Sequence, residues 1–208
     1  MSENEVEKMI PEIINVIEDD NMGQVEVAIP IYAAVKLARE QGIRVMLTGQ
    51  GADEIFGGYS WYSKIVQKYG YDKILEYMIK DVKLLYKETL EREDKITMSQ
   101  SVELREPFLD PHLIDTVLRI DPRLNIQNGG TDIYDNLGKR VHRRLAEKLG
   151  IPKEIAYRIK EAAQHGSGIH NLLDSLARKN GFSETSVKSS YLDKLGKREL
   201  MGLSLIHI

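Results

Sequence analysis

The chain has 208 residues, of which 42% are hydrophobic and 29% charged, a composition typical of one soluble globular domain. Its net charge of -3 gives no reason to expect nucleic acid or an anionic membrane as a partner, and the absence of cysteine excludes disulfides and thiolate metal sites. The N-terminus lacks the basic flank and apolar core of a signal peptide, and no apolar run approaches membrane-spanning length, so we expect a cytoplasmic protein.

The first 42 residues predict two helices. Apolar residues recur at helical spacing over 5–19, but Pro11 would disturb that helix unless it starts near Ile10. Pro30 is expected at an early position of the second helix, because proline is favoured in the first turn, and Gly42 ends that helix.

One clear strand follows and ends in a glycine turn. The apolar run at 43–47 predicts a buried strand, and Thr48-Gly49-Gln50-Gly51 predicts a tight turn into a helix. In open α/β sheets ligands bind at such strand ends, where glycines admit them to the backbone and helix-opening amides favour anions. Asp53 and Glu54 would repel a bare phosphate, whereas Mg²⁺ binds carboxylate and phosphate oxygens together. The turn therefore indicates an Mg-nucleotide or Mg-pyrophosphate site, or else a capped helix whose acidic first turn complements its dipole.

Helices and loops account for the remaining pattern. We expect helices over 61–91 with a break near Gly70, and also over 112–119, 135–149, 152–159, 169–180 and from Glu184 onward. Loops are expected at 101–110, 122–131 and 163–168, and the basic run 140–144 is expected to be a solvated helix face. A lone parallel strand needs neighbours, so the pattern indicates the later part of a larger α/β domain.

Three separated segments resemble the synthetase domain of the asparagine synthetase family. They are LTGQGADEIFGGY at 47–59, SVELREPFLD at 101–110 and YRIKEAAQHGSGI at 157–169, and the resemblance is nearest to stand-alone archaeal-type members. It implies a Rossmann-like α/β fold of the adenine nucleotide α-hydrolase type, a PP-loop ATP pyrophosphatase, here mostly helical with few parallel strands. We expect 1–60 to complete the nucleotide-binding core, 61–200 to form a helical portion of the same domain and 201–208 to be an artefactual tail.

The resemblance implies an ATP-dependent, magnesium-requiring, amide-forming ligase. In the family, ATP adenylates aspartate with release of pyrophosphate, and ammonia then gives asparagine and AMP. A glutaminase domain or subunit is therefore an expected partner besides the small-molecule substrates, and an oligomer is compatible with this reading. Related β-lactam synthetases and lasso-peptide cyclases activate other carboxylates, so a tailoring ligase is an alternative, as is a non-catalytic binding module.

Family positions also assign residues of the first motif. Thr48 and Gly49, with Gly51, match positions that contact the adenylate, and Asp53 matches a magnesium ligand whose metal draws charge from the leaving pyrophosphate. Glu54 is expected to be structural.

Gln50 departs from the family pattern. Bacterial glutamine-dependent members carry a glutamate there, which is proposed to take a proton from the attacking ammonia. Glutamine has no basic site near neutral pH, although its amide can orient a substrate by hydrogen bonds. The identity of the nucleophile is therefore open.

The second and third motifs supply the other candidates. Lys160 matches the family lysine that reaches the α-phosphate, where one electrostatic donor contributes about 3 kcal/mol or more. Ser167 and Gly168 are expected to make further phosphate contacts. Glu103 is either a catalytic residue of the substrate pocket or one half of a structural pair with Arg105.

The family's defining motif, the PP-loop S-G-G-x-D-S, has no counterpart in residues 1–47. In the family this loop cradles the pyrophosphate and supplies a second magnesium-binding aspartate. We therefore expect the chain to be a fragment of a synthetase that cannot form an adenylate by itself.

Overall fold

Residues 1–127 and 137–182 are described by the structure, a computed structural model, and they fall into two units. Of the described residues, the first unit comprises Met1–Met46, Thr89–Leu104 and 161–182. The second comprises Leu47–Glu88 and Arg105–Lys160. Among the described residues, no helix has both the length and the apolar character needed to cross a membrane. The predicted helix from Glu184 lies outside the described residues.

Helices dominate the described residues, and two short strands accompany them. In chain order the elements are α1 (Glu3–Ile17), α2 (Met22–Glu40), β1 (Val45–Leu47), α3 (Ala52–Phe56), α4 (Ser60–Tyr69), α5 (Tyr71–Leu85) with a π-helical turn (Tyr86–Leu90), α6 (Glu91–Ser99), β2 (Glu103–Arg105), a 3₁₀ turn (Pro107–Leu109), α7 (Pro111–Leu118), a second 3₁₀ turn (Pro122–Leu124), α8 (Arg140–Lys148), α9 (Lys153–Ala156), α10 (Ala163–Gly166) and α11 (Ile169–Lys179). The predicted break at Gly70 is confirmed between α4 and α5, whereas α10 replaces part of the loop predicted at 163–168.

Both N-terminal helices begin earlier than predicted and continue through a proline. α1 includes Pro11, and α2 begins eight residues before Pro30. Ser2 and Glu5 form a reciprocal capping box at the start of α1, while the Asn21 side chain accepts a hydrogen bond from the Gly23 amide at the start of α2. A proline inside a helix costs about 3 kcal/mol. The apolar face that each helix buries offsets this cost. The prediction that each helix starts near its proline was therefore wrong.

The core of the first unit lies among α1, α2, α6 and α11. Isoleucines supply much of it, at spacings of three and four residues that keep them on one helix face. Its fully buried members include Ile10, Ile13, Ile29, Tyr32 and Ile96.

The two strands form a parallel pair, which corrects the loop predicted at 101–110. The Glu103 amide donates to the Arg44 carbonyl over 2.8 Å in the first unit, and the Thr48 amide donates to the Arg105 carbonyl over 2.9 Å in the second. β2 has three residues, too few for an alternating pattern to be seen in the sequence. A small parallel pair beside many helices is compatible with the predicted α/β class, while the Rossmann-like arrangement stays a prediction.

Two apolar clusters form the core of the second unit. One lies around Tyr62 and Ile74, where α4 packs against α5, and the Tyr62 hydroxyl donates to Asp81 over 2.6 Å. The other joins α3 to α7 through Ile55 and Val117. α3, which carries Asp53, is therefore fixed by a buried face.

α8 begins at Arg140, although helix was predicted from residue 135, and residues 128–136 lie outside the described part of the chain. Its first amides are satisfied from other segments: the Lys139 amide donates to the Phe56 carbonyl, and the amides of Arg140 and Val141 donate to the carbonyl and side-chain oxygens of Asn125. Asn125 is almost completely buried and so acts as a remote N-cap.

The basic run at 140–144 is only partly a solvated face, which corrects the prediction. Arg143 is buried, with 8% of its surface exposed, whereas its neighbour Arg144 is exposed. His142 is also drawn inward: its ring stacks on Phe56 at 5.0 Å between centroids and meets Phe108 edge-on at 5.2 Å. α8 therefore packs against the rest of its unit through Arg143 and His142, two polar residues that the sequence pattern places on the surface.

His142 makes the stability of the fold depend on pH. Burial lowers the pKa of His142, and the nearby charges of Lys139 and Arg143 lower it further. His142 therefore binds a proton less readily in the folded chain than in the unfolded chain, where histidine titrates near pH 6.5. The stability that depends on neutral His142 is complete above about pH 6.5 and is lost as the pH falls.

We expect the free energy of unfolding, from urea titrations, to drop more between pH 7 and pH 5.5 for the unsubstituted chain than for His142→Phe. Equal pH dependence in the two proteins would contradict this.

Candidate functional site

The glycine turn after β1 is tightly packed within the second unit. Gly51 has φ +87°, and a Cβ added there would lie 2.2 Å from the Leu109 side chain. The Ile55 amide donates to the Gly51 carbonyl over 3.1 Å, so the turn leads directly into α3. The predicted strand, turn and helix are therefore present in that order, and they fix the position of Asp53.

The strand is not buried as predicted, since Ile43 and Leu47 are 41% and 71% exposed. An apolar run can predict the strand, but its burial depends on the segments that cover it.

Asp53 is the centre of a charge cluster. Its Oδ1 lies 2.9 Å from Lys139 Nζ, and its Oδ2 lies 3.6 Å from Lys160 Nζ. The side chains of Asp53 and Lys139 are only 20% and 16% exposed, so this is not an ordinary surface ion pair. Two ammonium groups face one carboxylate, and these three groups together carry a net charge of +1.

Lys160 has a second contact, with the face of an aromatic ring. Its Nζ lies 4.3 Å from the centre of the Tyr59 ring, within the range of a cation–π interaction. The Tyr59 hydroxyl donates to Glu54 Oε1 over 2.5 Å, and Trp61 stacks on the same ring at 3.9 Å. Glu54 is buried and holds Tyr59, which agrees with the structural role expected for it.

Burial raises the pKa values of both Tyr59 and Glu54, which are joined by a hydrogen bond. Burial raises the pKa of Tyr59 far above its usual range, and the Glu54 carboxylate raises it further. Burial also raises the pKa of Glu54, although the Tyr59 hydroxyl opposes that shift. Tyr59 is therefore a fixed hydrogen-bond donor and not a proton-transfer group at neutral pH.

Glycine at position 58 leaves room for the cluster. A Cβ at Gly58 would lie 2.0 Å from Asp53 Oδ1 and 2.2 Å from Lys139 Cε. Lys139 and Tyr59 were missed as candidates by the sequence reasoning. Tyr59 stands inside the first motif. Lys139 is one of 29 basic residues and lies 86 positions from Asp53, so no local sequence pattern distinguishes it.

The predicted site residues divide between the two units. Thr48, Gly49, Gln50, Gly51, Asp53 and Lys160 all lie in the second unit, and the structure brings Asp53 and Lys160 together. Glu103, Ser167 and Gly168 belong to the first unit. There Glu103 is exposed on β2, and Ser167 is exposed with its hydroxyl 3.5 Å from the Gln164 carbonyl. Gly168, at φ +77°, is the N-cap residue that immediately precedes α11.

The donor set of the cluster suits a phosphate better than a metal held by protein alone. Among residues 1–127 and 137–182, no three acidic or histidine side chains are grouped to hold a metal ion. Mg²⁺ usually takes one or two protein carboxylates and completes its shell with water and substrate phosphates. A single carboxylate beside two lysines therefore fits Mg²⁺ only as part of a magnesium–phosphate ligand.

Comparison with known proteins gives a consistent result. The family model described as asparagine synthase matches residues 1–71 and 66–205. A Methanocaldococcus jannaschii protein named "Putative asparagine synthetase 1", glutamine-hydrolyzing, is 34% identical over 223 residues, which covers 95% of this chain and 41% of that protein. Glutamine-hydrolyzing asparagine synthetases of Zea mays and Arabidopsis thaliana are each 29% identical, over 88% and 80% of this chain. The chain spans 41%, 30% and 28% of the lengths of these three relatives.

The tight turn predicts a difference between two glycines. Alanine at a positive φ costs about 1–2 kcal/mol, and this applies to both Gly51 (φ +87°) and Gly150 (φ +91°). An added Cβ at Gly150 meets nothing within 4 Å, whereas at Gly51 it collides with Leu109. Overpacking of that kind costs a further ~1–3 kcal/mol. Urea unfolding is expected to show Gly51→Ala less stable than Gly150→Ala by that margin; equal losses would mean that the turn does not pack on Leu109.

Proposed function

The chain belongs to the asparagine synthase family, and we propose that its second unit carries part of the nucleotide and pyrophosphate site of an ATP-dependent, amide-forming ligase. The proposed reaction adenylates the aspartate side chain, releases pyrophosphate, and then forms asparagine and AMP from the adenylate and ammonia. The observation that supports this most directly is the pairing of Asp53 with both Lys139 and Lys160 beside the glycine turn.

The lysine pair suits the charge that adenylation produces. Attack of a carboxylate on the α-phosphate places negative charge on that phosphate and on the departing pyrophosphate, which positioned cations stabilise. At an effective dielectric of 20, two unit charges 4 Å apart interact by about 4 kcal/mol. We propose that Lys160 acts at the α-phosphate, that Lys139 acts at the neighbouring phosphate oxygens, and that Tyr59 holds the Lys160 ammonium in place.

Asp53 is proposed to exchange partners when a ligand binds. Its carboxylate is paired with the two lysines. A phosphate that takes the lysines leaves the carboxylate unpaired, and Asp53 is then available to Mg²⁺ carried by the same ligand. Bound there, Mg²⁺ would neutralise charge on the pyrophosphate leaving group. This exchange implies that magnesium and phosphate bind much more tightly together than either does alone.

The remaining assignments stay proposals drawn from the family pattern. Thr48, Gly49 and Gly51 are proposed to contact the adenylate, and Ser167 and Gly168 to make further phosphate contacts. Gln50 is proposed to orient the substrate, since its amide cannot take a proton from ammonia. Glu103 is the acidic candidate for that step. Because Gln50 replaces a glutamate, a ligase that joins another carboxylate and amine is the second candidate function.

Pyrophosphate binding tests the lysine pair directly. We expect the 208-residue chain to bind pyrophosphate in the presence of Mg²⁺, and Lys139→Ala and Lys160→Ala each to weaken binding about tenfold, the loss of roughly 1.4 kcal/mol. Lys148→Ala, an exposed lysine on α8, is the matched control and should bind normally. Isothermal titration calorimetry measures all four proteins, and losses no larger than that of Lys148→Ala would contradict the site.

In the same titrations Asp53→Asn separates the roles of carboxylate and lysines. The substitution removes the charge that competes for the lysines, so metal-free pyrophosphate should bind at least as tightly as it does to the unsubstituted chain. The enhancement by Mg²⁺ should disappear. A persistent enhancement would show that Asp53 is not the magnesium ligand.

Exchange of radioactive pyrophosphate into ATP tests the ligase itself. We expect no exchange from the 208-residue chain alone. A chimaera that carries this chain in place of the matching region of the M. jannaschii protein is expected to catalyse aspartate-dependent exchange, and Lys160→Ala should remove it.

Each other outcome of the exchange assay has a distinct meaning. Exchange with a different carboxylate would favour the tailoring ligase. A folded chimaera that exchanges with no carboxylate would favour a non-catalytic binding module. Exchange by the chain alone would contradict the expectation that it is an incomplete synthetase.

A further inference from the structure

Arg143 is unusual among the basic residues of α8, because its guanidinium is buried and, within the part of the chain that the structure describes, contacts backbone carbonyls and no acidic side chain. Its Nε donates to the Gly138 carbonyl over 3.0 Å, and its Nη2 lies 3.5 Å from the Leu137 carbonyl. Its Nη1 donates to the carbonyls of Ala156 and Arg158, over 2.8 and 2.9 Å. One side chain therefore joins two separate stretches of chain.

These two stretches carry the two lysines of the charge cluster. Leu137 and Gly138 immediately precede Lys139, and Ala156 and Arg158 precede Lys160 by four and two residues. We propose that Arg143 is the positioning residue that sets the place of both lysine ammonium groups beside Asp53. The effect of Arg143 on ligand binding rests on the proposed phosphate site. Its effect on the positions of the two ammonium groups does not.

Neither lysine lies within regular secondary structure, although Ala156 is the last residue of α9. Lys139 has φ +51°, a left-handed conformation that an L-residue rarely adopts, and Gly138 before it has φ +65°. Lys160 lies beyond the end of α9, in irregular backbone. Carbonyls of irregular, partly buried backbone require donors, and a guanidinium offers five N–H groups in a rigid planar fork.

Close backbone packing restricts the position of the segment before Lys139. A Cβ at Gly138 would lie 2.4 Å from the Gly57 carbonyl oxygen, so the segment before Lys139 runs directly against the segment between Asp53 and Tyr59. A small displacement of that segment would move Lys139 Nζ away from Asp53 Oδ1. Lysine at position 143 would provide a point charge with three donors and no fork, so it cannot reproduce the four contacts.

The ligand-free test follows the two lysines directly. In protein labelled with [¹³C]lysine, the Cε–Hε signals of Lys139 and Lys160, assigned from Lys139→Arg and Lys160→Arg, are expected to shift in both Arg143→Ala and Arg143→Lys. Arg144→Ala removes the same charge from an exposed position on the same helix and should leave both signals in place. Unshifted signals in a folded Arg143 variant would overturn the proposal. If Arg143→Ala does not fold, Arg143→Lys carries the test.

The functional test uses pyrophosphate with Mg²⁺ and calorimetry on the same proteins. We expect Arg143→Ala to bind at least about tenfold more weakly, with affinity restored by free methylguanidinium, and Arg144→Ala to bind within about twofold of the unsubstituted chain. An Arg143 that merely stabilised the fold would lower the unfolding midpoint and leave the affinity of the folded protein unchanged, which would overturn the proposal. If the lysine signals shift while the unsubstituted chain binds no pyrophosphate, the positioning role stands and the proposed function fails.

Discussion

The second unit depends on one electrostatic constraint: a carboxylate and two ammonium groups, from three separate stretches of chain, must meet in a partly buried place. Asp53 comes from α3, Lys139 from the residue before α8, and Lys160 from irregular backbone after α9. Removing such charges from water is costly, and their mutual attraction compensates only when the geometry is good. The surrounding features all serve that geometry. Gly58 makes space for the ion pair, and the Tyr59 ring lies under one ammonium.

The parts of this arrangement that sequence could predict are the contiguous ones. The strand, the glycine turn and the first turn of α3 follow one another within a dozen residues, so local pattern located Asp53, and the third motif located Lys160. Lys139 and Arg143 could not be found in this way, because their importance arises from contacts with Asp53 and with two backbone segments far along the chain. The same reason explains the errors in α1 and α2, where burial of a largely apolar face outweighs the local effect of Pro11 and Pro30.

The site does not support the two halves of the proposed reaction equally. Lysines beside a carboxylate are suited to phosphate chemistry, which any ligase that activates a carboxylate with ATP must perform. The choice of carboxylate and amine depends on other groups, and Gln50, which is proposed to orient the substrate, has no basic site near neutral pH. The geometry therefore favours carboxylate activation as the function of this unit more strongly than it favours any particular amine. Glu103, the acidic residue proposed for the second half, belongs to the first unit.

Trp61 gives the charge cluster an optical property. It is the chain's single tryptophan, it is 46% exposed, and it stacks on one face of the ring whose π-system also holds the Lys160 ammonium. Indole emission is sensitive to a stacked phenol and to a nearby cation. Any event that draws Lys160 away from Tyr59 therefore changes the surroundings of the chain's only indole fluorophore. The protein thus contains its own spectroscopic reporter for the contact between Lys160 and Tyr59, and no label needs to be attached.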